Sequence, residues 1–296
     1  MKLLGIVLAA QVVLGITLVA LVATDNLPFT GDDEADGSTP RAASVGVDRF
    51  DGAAAFRLLR RQVELGPRPA GSPESRRLAR LLKRIIPRGE YQEVPGGLRN
   101  VVGTVRGREP GYVVVGAHYD TKDIPGFVGA NDGASGTAVA AQLARTIRRP
   151  RHTVKFVFFD GEESPRGTPE GQFEERGLRG SKVAAQTFVG ARAMVLLDFV
   201  GDRRLAIRYE DNSSPGLWRK LRSAARRVGA LEVFPRGDQG PVSDDHVPFL
   251  EQGVPSIDLI DFDFPCWHRR CDDMSAVSQP SVNAVGETIY KLLQAL

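Results

Sequence analysis

Five short segments each place an acid or a histidine where an apolar run ends. His118 and Asp120 follow Val113-Val114-Val115, and Asp132 sits between Asn131 and Gly133. Asp160, Glu162 and Glu163 follow Val157-Phe158-Phe159, and Asp198 follows Met194-Val195-Leu196-Leu197. His268 lies late in the chain beside Trp267, between Cys266 and Cys271. A catalytic Zn²⁺ needs imidazole nitrogens and carboxylate oxygens converging from several elements, with one position left open. This set supplies those atoms. Adjacent glutamates can divide the work, so Glu163 is assigned to metal and Glu162 to proton transfer. Asp120, two residues past His118, points to the same side and can fix the imidazole tautomer. A carboxylate at Asp132 is placed to bridge two ions.

Each residue taken singly has a plainer reading. His118 reads as a satisfied polar strand end, Asp132 as a helix cap, and the glutamate pair as a solvated loop. Their joint order favours the metal. The chain has four histidines, His118, His152, His246 and His268, and three of them fall in motif-like positions. His152, after Arg148-Arg149-Pro150-Arg151, reads as a surface residue.

Other chemistries are poorly served. There is no Gly-x-Ser-x-Gly elbow and no phosphate-cradling glycine loop. Arg236-Gly237-Asp238 reads as a turn. The 39 basic and 36 acidic residues leave a net charge of +3, and the arginines are scattered through helices rather than interleaved with aromatics. That pattern describes solvated helix faces and points to no nucleic-acid partner. The only cysteines, Cys266 and Cys271, bracket His268 and lack the two-pair spacing of a structural zinc site. In an oxidising compartment they would close a small loop around it; free thiols are the alternative.

The elements that must position these residues alternate. Helical periodicity is predicted at 53–65 and at 73–86, with Ser72 as N-cap before Pro73. Short β-branched runs at 100–105 and 112–117 predict a hairpin or adjacent strands. A helix at 135–148, a strand at 153–159, a loop at 164–177 and a helix at 181–188 follow. Further strands are predicted at 193–198, 205–209 and 256–260, and helices at 215–228 and 281–296. This is an α/β class: one domain with a central, mostly parallel or mixed sheet flanked by helices. In such sheets sites form beyond the carboxyl ends of the strands, where His118, Glu162, Glu163 and Asp198 fall.

The domain plan has three parts. Residues 1–23 are almost wholly apolar from Leu3 to Ala23, long enough to span a bilayer, and read as an anchor or a signal segment. Lys2 on the N-terminal side places the body outside the cytoplasm, either membrane-anchored or secreted after cleavage. Residues 24–48 are an acidic, small-residue linker, and 49–296 are the catalytic domain.

The order His-x-Asp, Asn-Asp-Gly, Asp-Gly-Glu-Glu, Asp and His resembles the co-catalytic zinc aminopeptidases and their relatives, the glutaminyl-peptide cyclotransferases. The resemblance covers roughly Phe50 to Leu296. It implies a phosphorylase/hydrolase-like fold, Asp132, Glu163 and His268 on one zinc, and His118, Asp198 and shared Asp132 on a second. It implies Glu162 as general acid/base, Asp120 orienting His118, and peptide N-termini as substrates. Asp244-Asp245-His246, Trp267 beside His268 and Phe127-Val128-Gly129-Ala130 resemble the cyclase branch, in which Asp244 hydrogen-bonds in the active site and Trp267 lines the substrate pocket. His246 and Asp258 are expected at that pocket too, although animal cyclases place a His where this chain has Asp258. Asn131 to Gly136 resembles the aminopeptidase branch. The cyclase-like function is favoured, with aminopeptidase as the alternative. A non-catalytic binding ectodomain on the same fold is a remote third reading, since no ligand position has been lost. One zinc or two fits the same residues.

Overall fold

The computed structural model describes residues 45, 46 and 48–296. The expected anchor or signal segment, and most of the expected linker, lie outside the described residues. No described helix is long and apolar enough to cross a membrane.

The strands are β1 (Glu90–Val94), β2 (Leu98–Val105), β3 (Glu109–His118), β4 (His152–Phe159), β5 (Met194–Leu197) and β6 (Ser256–Leu259). They form one sheet in the order β1-β2-β4-β3-β5-β6. Strand β3 runs parallel to β4 and β5, and β5 parallel to β6, while β2 is antiparallel to β1 and β4. The mixed sheet with a parallel centre is the expected class. The expected pairing of 100–105 with 112–117 is corrected: β4 lies between them, with Val102 opposite Val157 and Val115 opposite Phe156. Strand β3 is apolar on both faces, so it takes a central place with a partner on each edge.

Side-chain alternation explains the layers. Val113, Val115, Ala117, Phe156, Phe158, Val195 and Leu197 join the larger core on one face. Val114, Val157, Phe159, Met194 and Leu196 join a smaller core on the other. Helices α1 (Gly52–Val63), α2 (Pro73–Ile85), α3 (Ala134–Thr146), α6 (Pro215–Val228) and α8 (Gln279–Leu293) cover the first face. Helices α5 (Arg179–Thr187) and α7 (Val247–Glu251) cover the second, and α4 (Phe173–Arg176) lies in the 164–177 loop. Ser72 caps α2 as expected, its hydroxyl accepting from the Ser75 amide at 3.1 Å.

Two local expectations fail, and one strand was unforeseen, each for a physical reason. Residues 205–209 form no strand. Their amides bond elsewhere, Ala206 to the Asp261 carboxylate and Ile207 to the Val233 carbonyl, and Tyr209 makes only an isolated bridge to Asp238. Strand β1 was not anticipated, because Glu-Tyr-Gln-Glu-Val is a polar, partly exposed edge strand without alternation. His152 is no surface residue: it opens β4 and is buried.

Helix α3 carries the Asp132 loop and packs between α1, α8 and the sheet. Gly136 makes its approach possible. A Cβ there would stand 1.9 Å from the Leu197 carbonyl oxygen, which is backbone and cannot rotate away. Gly136→Ala is therefore expected to destabilise the fold by about 1–3 kcal/mol or more, read as a lower midpoint in urea denaturation.

Candidate metal centre and active-site cavity

Because β4, β3 and β5 are adjacent and parallel, their carboxyl ends lie along one edge of the sheet. His118 is the last residue of β3, Glu162 and Glu163 follow β4, and Asp198 follows β5. Asp132 precedes α3 at the turn made by Gly133, whose φ of 84° suits glycine. His268 follows β6 in the loop closed by a Cys266–Cys271 disulfide, and its own φ is 52°. A left-handed histidine needs surrounding constraint. The disulfide ring supplies it, together with hydrogen bonds from the Trp267 amide to Phe264 O and from the Arg269 amide to Cys266 O.

Two groups of ligand atoms result. One atom each from His118, Asp132 and Asp198 lie within 4.8 Å of one another, as do atoms of Asp132, Glu163 and His268. The first group is set by His118 Nε2, 3.2 Å from Asp198 Oδ1 and 3.3 Å from Asp132 Oδ1. The second is set by His268 Nε2, 3.2 Å from Glu163 Oε1 and 3.6 Å from Asp132 Oδ2. Asp132 thus presents one oxygen to each group. Its Oδ2 is buried without a hydrogen-bond partner within the protein. Buried imidazole and carboxylate groups crowded in this way suit Zn²⁺.

Asp120 sits behind both groups. Its carboxylate lies 3.7 Å from His118 Nδ1, and its oxygens accept the backbone amides of Glu162 and Glu163 at 3.3 Å each. One side chain therefore aligns the imidazole and the glutamate turn.

Adjacent glutamates experience opposite fields. Burial, reinforced by the Glu163 charge, pushes the Glu162 carboxyl well above the usual range. Burial also pushes Glu163 upward, but the hydrogen bond and charge of His268 and the charge of Lys122 outweigh it and hold Glu163 low. Paired acids driven apart in this way are chemically suited to different tasks, one to carrying a proton and the other to standing as an anion. Burial raises Asp198 to about 7 despite His118, and it also raises Asp244.

A cavity of about 630 Å³ opens onto this edge. Glu162, Glu163, Asp198, Asp244, Trp267 and His268 line it, with Phe173 and Phe262 at other walls. His118 and Asp132 are buried behind it. Trp267 is 41% exposed and stacks on His268 with ring centroids 4.7 Å apart. His246 and Asp258, expected at the substrate pocket, do not line the cavity and are fully buried. His246 Nε2 faces Glu210 at 3.2 Å and its Nδ1 faces Asp258 at 3.8 Å. Glu210 falls to about 2: burial raises it, and the His246 hydrogen bond and the amides of Val242 and Asn212 overcome that. Burial and the nearby Asp244 push Asp258 well above its usual range. Asp258 lies close enough to Asp244 and Asp198, both on the cavity wall, for their charges to act on it.

Three residues were missed from sequence. Lys122 Nζ lies 2.9 Å from Glu163 Oε2, and a cation two residues past Asp120 was the available signal. Arg68 and Asp272 lie buried behind the Asp132 loop, and no motif marks either one.

Residues 100–293 match the family model described as Peptidase family M28. The chain belongs to this family. Among curated relatives of this M28 member, the glutaminyl-peptide cyclotransferase of Bothrops jararaca is 28% identical over 237 residues, covering 66% of this chain and 63% of that protein. The chain thus spans under two thirds of the length of that relative. A leucine aminopeptidase precursor from Bacteroides thetaiotaomicron superposes with a TM-score of 0.75 at 25% identity, over 85% of this chain and 99% of that one. A glutaminyl cyclase from the same organism, bound to N-acetylhistamine, gives 0.75 at 25% identity over 84% and 99%. The architecture expected from sequence is therefore that of M28-type relatives.

The acid cluster makes the metal-free protein sensitive to pH. Asp198 and Asp244 have raised folded values, so the stability they cost grows as pH rises from the unfolded carboxyl range toward the folded one. Burial disfavours the His118 imidazolium, but Asp198, Asp120 and Asp132 overcome this and raise it, so its contribution is also lost on going alkaline. Chelator-treated protein is expected to melt at a lower temperature at pH ~8 than at pH ~6, with zinc removing most of the difference. Calorimetry with and without zinc checks this.

Proposed function

We propose that this protein is a zinc-dependent enzyme acting on peptide N-termini, which closes an N-terminal glutamine into pyroglutamate and releases ammonia. The observation that carries this reading is the composition of the cavity: Glu162, Asp198 and Asp244 line it together, and Trp267 walls it beside His268. The cyclotransferase named among its relatives supports the same reading.

Asp132, Glu163 and His268 would hold one zinc, and His118, Asp198 and Asp132 a second where present. Zinc bound there supplies Lewis-acid polarisation of a carbonyl. The side chains do the rest. Glu162 takes a proton from the substrate α-amine as that nitrogen attacks the γ-carbonyl carbon, then gives it to the departing amide nitrogen. One carbon–nitrogen bond forms, another breaks, and the peptide bonds stay intact. Asp198 and Asp244 accept the γ-amide N–H groups, and Asp258 and His246 support Asp244 from behind. Trp267 packs on the glutamine side chain.

A second reading, zinc aminopeptidase, is favoured by Asp132 belonging to both ligand groups, an arrangement suited to two ions. There Glu162 would take the proton of the water that attacks the scissile carbonyl, and Trp267 would line a side-chain pocket. Glutamine- and leucine-initiated peptides, assayed for ammonia and for free amino acids, separate the two. Ammonia from the first peptide alone is expected. Free leucine from the second would establish the peptidase. Purified protein that takes up no zinc would favour the non-catalytic binding module.

The body is also proposed to work outside the cytoplasm, tethered or released by residues 1–23. The Cys266–Cys271 disulfide supports an oxidising compartment. Digestion of the body by protease added to intact cells is the expected result.

A further inference from the structure

We propose that Asp272, with the Cys266–Cys271 disulfide and Arg68, forms a clasp that fixes the Asp132 and His268 ligands to each other. The inference rests on the reading that these residues hold zinc, and not on which reaction follows. Asp132 and His268 come from loops far apart in sequence, yet one residue joins them. Asp272 is fully buried, and its two carboxylate oxygens accept the consecutive amides of Asn131 at 2.7 Å and Asp132 at 3.0 Å. Its own carbonyl accepts the Ala130 amide at 3.2 Å, and its amide donates to Arg269 O at 3.0 Å. The Asp132 loop thus hangs on Asp272 by three bonds, and Asp272 directly follows the disulfide ring that holds His268.

Arg68 secures the other end of the same loop. It is fully buried, and its guanidinium donates to Val128 O at 2.9 Å and Gly129 O at 3.2 Å, and to Gln62 O and Gly66 O. Its backbone amide and carbonyl pair with Thr121 of the His118-Tyr119-Asp120 segment. Asp120, Asp132, Glu162, Glu163, Asp198 and Asp244 crowd this edge, and Asn131 to Gly133 would otherwise be a loop with freedom to move the Asp132 carboxylate away from His268. Outer groups that orient ligands usually carry about 10- to 100-fold of metal affinity.

The test is zinc affinity by competition with a coloured chelator, on Asp272→Asn, on the double variant Cys266→Ser/Cys271→Ser, and on each combined with His268→Ala. Melting of the zinc-free proteins is recorded alongside. Asp272→Asn keeps the size but turns an N–H toward the loop amides. It is expected to lower zinc affinity about 10- to 100-fold, more than any change in zinc-free melting accounts for. The cysteine variant is expected to lower affinity in the parent and to have no further effect once His268 is gone, whereas Asp272→Asn keeps its effect there because it acts through Asp132. Arg68→Lys, which keeps the charge but cannot span both carbonyls, should reproduce part of the loss. Affinity within twofold of the parent for Asp272→Asn, or a cysteine effect that persists without His268, would overturn the clasp. A merely structural role would lower zinc-free melting and leave affinity unchanged in the protein that remains folded.

Discussion

Glu162→Gln is expected to lower turnover by about 100- to 10,000-fold while leaving zinc content unchanged. The substitution keeps the size and the hydrogen-bonding capacity of the side chain and removes only its ability to carry a proton. Glu162 lines the cavity and is not among the ligand groups, so metal uptake should survive. Its environment supports the assignment. Burial and the neighbouring Glu163 lift its carboxyl, whereas Glu163 is held low by its hydrogen bond to His268 despite burial. The reciprocal variant, Glu163→Gln, should instead lose zinc. Measuring turnover and bound metal on both proteins checks the division of labour. Equal zinc loss in the two would reverse or dissolve it.

Asp132→Ala is expected to abolish both zinc binding and activity. It alone offers an oxygen to each ligand group, so its loss opens both, and the affinity change should exceed the roughly 10- to 100-fold cost of altering an outer-shell partner. A stability readout follows. Zinc at about 100 times its dissociation constant adds roughly 2.7 kcal/mol to a folded protein that binds it. The parent should therefore melt at a higher temperature with zinc than without it, and Asp132→Ala should show little response. The cavity left by the aspartate is small and adjoins polar groups, so the variant is expected to fold. Thermal melting at several zinc concentrations checks both points.

The sequence made the sheet edge legible because the chemistry sits where apolar runs stop. Val113-Val114-Val115 before His118, Val157-Phe158-Phe159 before Glu162 and Leu196-Leu197 before Asp198 are central parallel strands, buried on both faces and hydrophobic without interruption. Their ends are sharp in sequence as they are in space. What stayed hidden lacks such contrast. The polar edge strand at Glu90–Val94 resembles a loop, and residues 205–209 look like a strand although their amides bond outside any ladder. Strand order also escaped, since adjacency in sequence suggested pairing 100–105 with 112–117 while β4 takes the place between them. The depth of His246 and Asp258 was beyond reach for the same reason. A motif gives residue type and spacing, and only packing tells which side chains reach the cavity. Arg68 and Asp272 carry no motif because their partners are backbone groups, which every residue has.

The most direct test uses a peptide whose N-terminal glutamine carries heavy nitrogen in the side-chain amide only. The zinc-loaded protein is incubated with it, and peptide and ammonia are both analysed by mass spectrometry. The cyclase reaction yields labelled ammonia, a peptide lighter by one ammonia, and every peptide bond intact. Label retained in free glutamine, with a peptide shortened by one residue, would contradict it and make the protein an aminopeptidase.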